Sequence, residues 1–184
     1  MYTQKKGKIN MKVYVIRHGM TDWNTKKLLQ GRSDIPLNET GRKEALLVKS
    51  KINISNIDLV YSSPLKRAYE TAKIIVGSKE IKKSDLLLER SFGLLEGSKI
   101  DFDALSKYWD YFANASNNDV EPLKDVMKRA HEFKKILLKS KEKSVLVVTH
   151  GAFMKCLDQV LKDSSDYDFS LLRPKNTEIY EYEI

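Results

Sequence analysis

Short apolar segments that suit buried strands alternate along this chain with segments of helical periodicity. The predicted strands are residues 12–16, 57–61, 85–88, 145–148 and 178–184. The predicted helices are residues 40–51, 64–76, 101–115, 121–140 and 151–161. Strands separated by helices favour an α/β fold, because helical crossovers bring successive strands side by side in parallel. We therefore predict a three-layer sandwich, with a mostly parallel central sheet and helices on both faces.

The length and apolar content fit one folded domain. The chain has 184 residues, of which 41% are hydrophobic, and this is enough to build a core. The clean strand pattern begins at Met11. We therefore predict a disordered extension over residues 1–10 and a single domain over residues 11–184.

A single cysteine and short apolar runs bear on the compartment. Cys156 has no second cysteine with which to form an internal disulfide, and this favours a reducing cytoplasm. The apolar run after the first ten residues has four residues before Arg17, too few for a signal peptide or a membrane span. We expect a cytoplasmic protein with no membrane partner.

The net charge of +8 raises the possibility of nucleic-acid binding. Lys5, Lys6 and Lys8 lie in the extension, and residues 121–143 carry eight Lys or Arg against four acids. The second region has the apolar spacing of an amphipathic helix, so its lysines are best explained as a solvated face. No nucleic-acid recognition motif accompanies the charge, and we expect no nucleic-acid partner.

Polar side chains follow three of the predicted strands. Arg17, His18 and Gly19 end the first strand, Arg67 follows the second, and the strand at 145–148 leads to His150 and Gly151. The carboxyl ends of parallel strands meet at one edge of a sheet, where ligands of open α/β folds bind. We therefore expect these side chains to lie together, whereas the third histidine, His131, is predicted to be on the surface.

As a group, these side chains indicate phosphoryl transfer, although no single one of them does. A lone histidine or arginine at such a position is usually structural. Together, two guanidiniums can hold phosphoryl oxygens, and a neutral imidazole can attack phosphorus. The sequence has no HExxH motif, no cysteine cluster, and no Walker or Rossmann glycine pattern. We therefore predict no metal and no cofactor.

Five segments resemble the histidine phosphatase superfamily, the phosphoglycerate mutase-like family, on its phosphatase branch. RHGMTDWN resembles the signature RHG-x-T-x-x-N. The likeness continues, in the family's order, through QGRSDIPLNETGRKEA, SSPLKRAYETA, LLERSFGLLEG and VVTHGAFMKCL. These segments run from residue 12 to about residue 161, so the resemblance covers most of the chain.

The resemblance implies a role for ten residues. His18 would be the nucleophile that forms a phosphohistidine, and Glu89 would be the general acid and base. Arg17, Arg67 and His150 would form the phosphate pocket. The residues implied in substrate binding are Thr21, Asn24, Gln30, Gly31 and Gly151.

Two carboxylates and a variable segment need separate comment. The family pattern LxE followed by G-x-x-EG places the acid on Glu89, so Glu96 is predicted to be structural. The family inserts a lid before its last histidine, here about residues 98–120. After it, Glu121 keeps a family carboxylate, but Pro122 replaces a serine. The aromatic residues of the lid either line an apolar wall or pack a helix.

The predicted function is hydrolysis of a small phosphate ester by a metal-independent phosphomonoesterase. The alternative is a 2,3-bisphosphoglycerate-dependent phosphoglycerate mutase, whose lid carries additional basic residues. Residues 98–120 contain only Lys99 and Lys107, which favours hydrolysis. A noncatalytic binding protein on the same fold is disfavoured by the intact polar set. The alternating segment 178–184 suggests a possible homodimer through an exposed edge.

Overall fold

The computed structural model describes residues 10–184. The predicted disordered extension lies outside this range except for Asn10. Within it the strands are β1 (Lys12–Arg17), β2 (Leu59–Ser62), β3 (Lys82–Lys83), β4 (Ser144–Thr149) and β5 (Ile179–Glu183). The α-helices are α1 (Asp22–Thr25), α2 (Glu39–Lys51), α3 (Lys66–Val76), α4 (Phe102–Ser106), α5 (Leu123–Lys139) and α6 (Gly151–Leu161).

The strands form one mostly parallel sheet, as predicted. Their order is β3-β2-β4-β1-β5. The first four of these strands run parallel, and β5 pairs antiparallel with β1. β5 therefore lies at an edge of the sheet, and its use in a homodimer stays a prediction.

Helices cover both faces of the sheet. Alternate side chains of β4 point to opposite sides, as the pleat of a strand requires. Val145 and Val147 pack with α5 and α6, whereas Leu146 and Val148 pack with α2 and α3. The central strand is consequently buried on both faces, which explains its continuous apolar sequence. This arrangement confirms the predicted three-layer α/β sandwich.

The lysine-rich helix α5 is amphipathic. Val126, Ala130 and Phe133 lie on its buried face, while Lys128 and Lys135 are exposed. Its basic charge therefore lies largely on a solvated face, as the spacing of the apolar residues predicts.

Two predicted elements are wrong. Residues 85–88 do not form a strand: Asp85–Leu87 is a 3₁₀-helix, and the edge strand is Lys82–Lys83, which pairs with the end of β2. Residues 101–115 are not one helix, because the chain leaves helical geometry at Asp110. The carboxylate of Asp110 accepts hydrogen bonds from the N–H groups of Phe112 and Ala113, and this local bonding competes with the helical ladder.

Candidate active site

The two strand-end histidines meet at the carboxyl edge of the sheet. β1 and β4 are neighbours, with Arg17 opposite Thr149, so the next residue of each strand reaches the same place. The ring centroids of His18 and His150 are 5.2 Å apart, and both side chains are buried. The backbone pairing of two parallel strands therefore builds the centre of the site.

The hydrogen bonds of His18 assign its tautomer. Nε of Arg67 donates to Nε2 of His18 at 3.2 Å, and a guanidinium can only donate. Nε2 therefore carries the lone pair, and Nδ1 donates its proton to the carbonyl oxygen of Gly19 at 2.7 Å. Burial, followed by the charges of Arg67 and Arg17, lowers the pKa of His18 well below its ordinary value of 6.5. The ring is thus neutral at pH 7, with a lone pair on Nε2.

Backbone carbonyl groups hold the two guanidiniums beside this ring. Arg67 is fully buried and donates to the carbonyl oxygens of Ser33 and Gly31 at 2.8 and 2.7 Å. Burial is the largest cause that lowers the pKa of Arg67 to about 10, so the group stays protonated at neutral pH. Arg17 donates to the carbonyl oxygen of Pro174 at 2.9 Å. Within residues 10–184, its Nε is buried and has no hydrogen-bond partner.

His150 lies immediately before helix α6. Its Nε2 is 2.7 Å from the hydroxyl of Ser63, while its buried Nδ1 has no partner in the described part of the chain. Burial, then the positive charge of Arg67 and the ring of His18, lowers its pKa well below 6.5. A second neutral imidazole with an unused nitrogen thus lies beside His18, fully buried behind the residues that line the cavity.

Glu89 is bound to the start of α6. One carboxylate oxygen accepts hydrogen bonds from the N–H groups of Arg90 and Phe153 at 2.9 and 2.8 Å. The other accepts from the N–H of Ala152 at 3.1 Å. These donors stabilise negative charge at the N-terminus of the helix. They also fix the orientation of the carboxylate at the wall of a cavity that His18 lines as well.

The residues implied in substrate binding divide into two groups. Asn24, Gln30, Gly31 and Gly151 line the cavity. Thr21 is fully buried and caps α1 through its hydroxyl, which accepts from the N–H of Asn24 and lies 3.1 Å from Oε1 of Gln30. Thr21 therefore contacts Asn24 and Gln30 and is not itself part of the cavity lining.

Gly31 occupies a position that disfavours any larger residue. Its φ is +51°, and a Cβ there would come within 2.0 Å of the Glu96 carboxylate. That carboxylate accepts from the N–H groups of Arg32, Ser33 and Phe92. Glu96 thus ties together the loop that supplies the Gly31 carbonyl to Arg67, in agreement with a structural role.

The cavity itself measures about 940 Å³ and extends well beyond the histidines. From the predicted lid, Phe102 and Trp109 line its wall, whereas Tyr108 is buried in the packing below. The lid aromatics therefore divide between the two possibilities that the sequence left open. Lys99 and Lys107 are not part of the lining.

Sequence reasoning missed the far wall of the cavity. Lys155, Tyr167, Phe169 and Arg173 line it, from helix α6 and the segment that follows. The available signal for Lys155 was its position one helical turn after Gly151. No local signal marks the others. Counting the two lysines of residues 98–120 therefore does not give the positive charge of this cavity. Its additional cations, Lys155 and Arg173, come from other parts of the chain.

Side chains from distant parts of the sequence hold the backbone at His18 and Gly19, and sequence reasoning did not identify them. The hydroxyl of Thr71 accepts from the N–H of Gly19 at 3.0 Å, and the amide of Asn176 donates to the carbonyl oxygen of His18 at 2.7 Å. Both contacts link residues far apart in the chain, so no spacing rule identifies them. They restrain the backbone on both sides of the His18 ring.

Two further properties concern residues 10–184 as a whole. This part of the chain contains no group of three or more His, Cys, Asp or Glu that could hold a metal ion. None of the helices in the described range has the length and apolar character needed to cross a membrane.

The two buried neutral histidines predict a loss of stability in acid. The folded-state pKa of each is well below 6.5, so the unfolded chain binds more protons as the pH falls below that value. The free energy of unfolding should fall by up to about 1.4 kcal/mol per pH unit for each histidine. Urea denaturation between about pH 7.5 and pH 5 measures this slope. We expect the slope to be about half as steep in His150→Gln and unchanged in the exposed control His131→Gln. An unchanged slope in His150→Gln would contradict the assignment.

Comparisons with known sequences match this chain to one family. The model of the histidine phosphatase superfamily (branch 1) matches residues 13–184. The chain is 34% identical to a probable phosphatase of Schizosaccharomyces pombe, over 95% of this chain and 87% of the relative. It is 35% identical to the uncharacterized phosphatase PhoE of Bacillus subtilis, over 79% of this chain and 74% of the relative. It is 32% identical to phosphoglycerate mutase-like protein 4 of Arabidopsis thaliana, over 83% of this chain and 72% of the relative.

Solved structures show the same fold. A phosphoserine phosphatase from Entamoeba histolytica, in complex with 3-phosphoglyceric acid, superposes with a TM-score of 0.79 at 27% identity, covering 95% of this chain and 94% of that one. A mycobacterial glucosyl-3-phosphoglycerate phosphatase superposes with a TM-score of 0.82 at 24% identity, over 93% and 92%. The family resemblance predicted from the five sequence segments is confirmed.

Proposed function

We propose that this chain, which belongs to branch 1 of the histidine phosphatase superfamily, is a phosphomonoesterase that works without a metal through a phosphohistidine on His18. One observation carries the proposal: Nε2 of a buried, neutral His18 faces the guanidinium of Arg67. A lone pair beside a fixed positive charge suits attack on an anionic phosphoryl group.

In the first step, Nε2 of His18 attacks phosphorus, and the ester P–O bond breaks with its electron pair on the leaving oxygen. Arg17, Arg67 and the unused nitrogen of His150 bind the phosphoryl oxygens. The positive charge that forms on the His18 ring is stabilised by the Nδ1 hydrogen bond to Gly19. Asn24, Gln30, Gly31 and Gly151 line the space for the bound ester.

Glu89 supplies the proton for the leaving oxygen. This transfer requires Glu89 in its protonated form. In the second step, water attacks phosphorus, gives a proton to Glu89, and the N–P bond breaks. The electron pair returns to Nε2 of His18, and inorganic phosphate leaves.

The names of the relatives support phosphate esters as substrates. They leave two possible reactions, hydrolysis to inorganic phosphate and transfer of the phosphoryl group to another position. Several are named phosphatases, including phosphoserine phosphatase 1 of Hydrogenobacter thermophilus, 35% identical over 55% of this chain. A relative in Serratia proteamaculans, 30% identical over 90% of this chain, is named a probable phosphoglycerate mutase. We propose hydrolysis. We also propose a single domain over residues 11–184 and a cytoplasmic location.

A phosphate-release assay decides between hydrolase and mutase. The wild-type protein should release inorganic phosphate from small phosphate esters without a bisphosphate primer. Faster interconversion of 2- and 3-phosphoglycerate, with a requirement for 2,3-bisphosphoglycerate, would overturn the proposal in favour of the mutase.

Chelator and vanadate test how the transferring group is stabilised. If guanidiniums and imidazoles hold it, a chelator should leave turnover unchanged, because no metal is needed. Vanadate should inhibit, since it mimics the trigonal-bipyramidal arrangement around phosphorus. Steady-state rates with and without each reagent measure both effects. Activity lost to chelator and restored by a divalent ion would instead indicate a metal-dependent phosphatase.

A further inference from the structure

Two cationic side chains line the cavity beyond the phosphate pocket. Lys155 is half-buried on α6, and Arg173 is exposed in the segment after that helix. Pro174, next to Arg173, accepts the hydrogen bond from Arg17. Lys155 follows, by one helical turn, the Gly151 and Ala152 that border the pocket. The two cations therefore adjoin the place where a phosphoryl group would bind.

Neither cation forms a salt bridge in the described part of the chain. Nζ of Lys155 donates to the carbonyl oxygen of Phe169 and lies 5.0 Å from the ring centroid of Trp109. Burial, followed by the charge of Arg173, lowers the pKa of Lys155, and the nearby charge of Asp168 opposes this shift only in part. The two positive charges thus repel each other, and an anion between them would relieve this repulsion.

The acidic residues of the same cavity wall are engaged in turns. One carboxylate oxygen of Asp168 accepts from the N–H of Ser170 at 2.8 Å. One carboxylate oxygen of Asp110 accepts from the N–H groups of Phe112 and Ala113. These bonds explain both carboxylates as local caps. Asp168 is exposed, acts on Lys155 without forming a salt bridge, and leaves Arg173 without a paired carboxylate.

We propose that Lys155 and Arg173 bind a second acidic group, so that the substrate is a small phosphate ester whose alcohol part carries its own anion. The proposal rests on the proposed phosphatase function for the position of the phosphoryl group. An ammonium and a guanidinium together suit a carboxylate or a phosphate. Trp109 and Phe169 line the cavity nearby and would contact the carbon skeleton between the two anions.

The affinity of a catalytically inactive protein tests the subsite without turnover. In His18→Ala, calorimetry gives the Kd of 3-phosphoglycerate and of glycerol 3-phosphate, which differ in a carboxylate against a hydroxymethyl group. We expect the carboxylate ester to bind about tenfold more tightly or better, since charge-assisted hydrogen bonds have this size. Equal Kd values for the two esters would overturn the proposal.

Cation-removing variants then assign the effect to these residues. Lys155→Met and Arg173→Met, each added to His18→Ala, should lose most of the Kd ratio. Lys128→Met removes an equal charge from the exposed face of α5 and should keep the ratio. A ratio unchanged by both Lys155→Met and Arg173→Met would refute the subsite. If Lys155→Met does not fold, the exposed Arg173 still decides the outcome.

The two proposals fail in different ways. Absence of phosphate release by the wild-type protein from every ester, p-nitrophenyl phosphate included, would refute the phosphatase function. The Kd ratio in His18→Ala requires no chemistry, so its loss would refute only the acidic subsite.

Discussion

Substitution of His18 by alanine is expected to abolish turnover of phosphate esters, by about 10³-fold or more. Nε2 of His18 is the nitrogen whose lone pair faces the Arg67 guanidinium. The nearby ring of His150 is held through its Nε2 by Ser63, so it is not oriented to replace the nucleophile. The acid-labile, alkali-stable phosphoenzyme typical of an N–P bond should disappear in the same variant. Quenched-flow labelling and steady-state rates measure the two losses.

The control for this substitution is the exposed His131. His131→Ala should turn over at the wild-type rate, because the side chain lies on helix α5 away from the cavity lining. His18→Ala should still bind vanadate or phosphate through Arg17 and Arg67, which shows that the pocket is intact. Wild-type turnover by His18→Ala would refute the phosphohistidine mechanism.

Replacing Glu89 with glutamine is expected to lower turnover of alkyl phosphates by about 10²- to 10⁴-fold. The amide cannot give a proton to the leaving oxygen or take one from water, so both half-reactions slow. Glutamine also places an NH₂ group among N–H donors that now bind two carboxylate oxygens. A loss of activity alone would therefore not separate chemistry from local distortion.

Comparing esters with different leaving groups separates loss of proton transfer from local distortion. p-Nitrophenyl phosphate needs little protonation of its leaving oxygen, so Glu89→Gln should slow it much less than an alkyl phosphate. Distortion of the site would slow both esters equally. Glu132→Gln, on the exposed face of α5, serves as the control and should change neither rate. Equal losses for both esters in Glu89→Gln would contradict its role as general acid.

The local signals of the sequence predict the long buried elements well. The observed helix α6, Gly151–Leu161, has the predicted bounds, and β1, β4 and α5 differ from prediction by one or two residues at an end. These elements have a strong apolar period, and packing reinforces it. The predictions failed over 85–88 and 101–115, where short segments of mixed composition are decided by side-chain hydrogen bonds and turns.

The meeting of His18, Arg67 and His150 also follows from the sequence, given a parallel sheet. His18 and His150 directly follow strands β1 and β4, and Arg67 lies in the first turn of the helix after β2. The carboxyl ends of these parallel strands share an edge of the sheet. The sequence likewise predicts which carboxylate lies at the cavity and which is engaged in the loop. Glu89 is bound to α6 and lines the cavity, whereas Glu96 accepts hydrogen bonds from the surrounding loop.

By itself, then, the sequence determined the family, the α/β layers and the strand-end residues, because periodicity and motif spacing are local properties of the chain. Only the tertiary structure decided the tautomer of His18, the three N–H donors on Glu89 and the presence of Lys155 and Arg173 in the lining of one cavity. Most of these features arise from contacts between residues far apart in the chain: 49 positions separate Arg67 from His18, and 64 separate Phe153 from Glu89. Such contacts depend on how the layers of the fold pack together, and this packing cannot be predicted from a local pattern of residues.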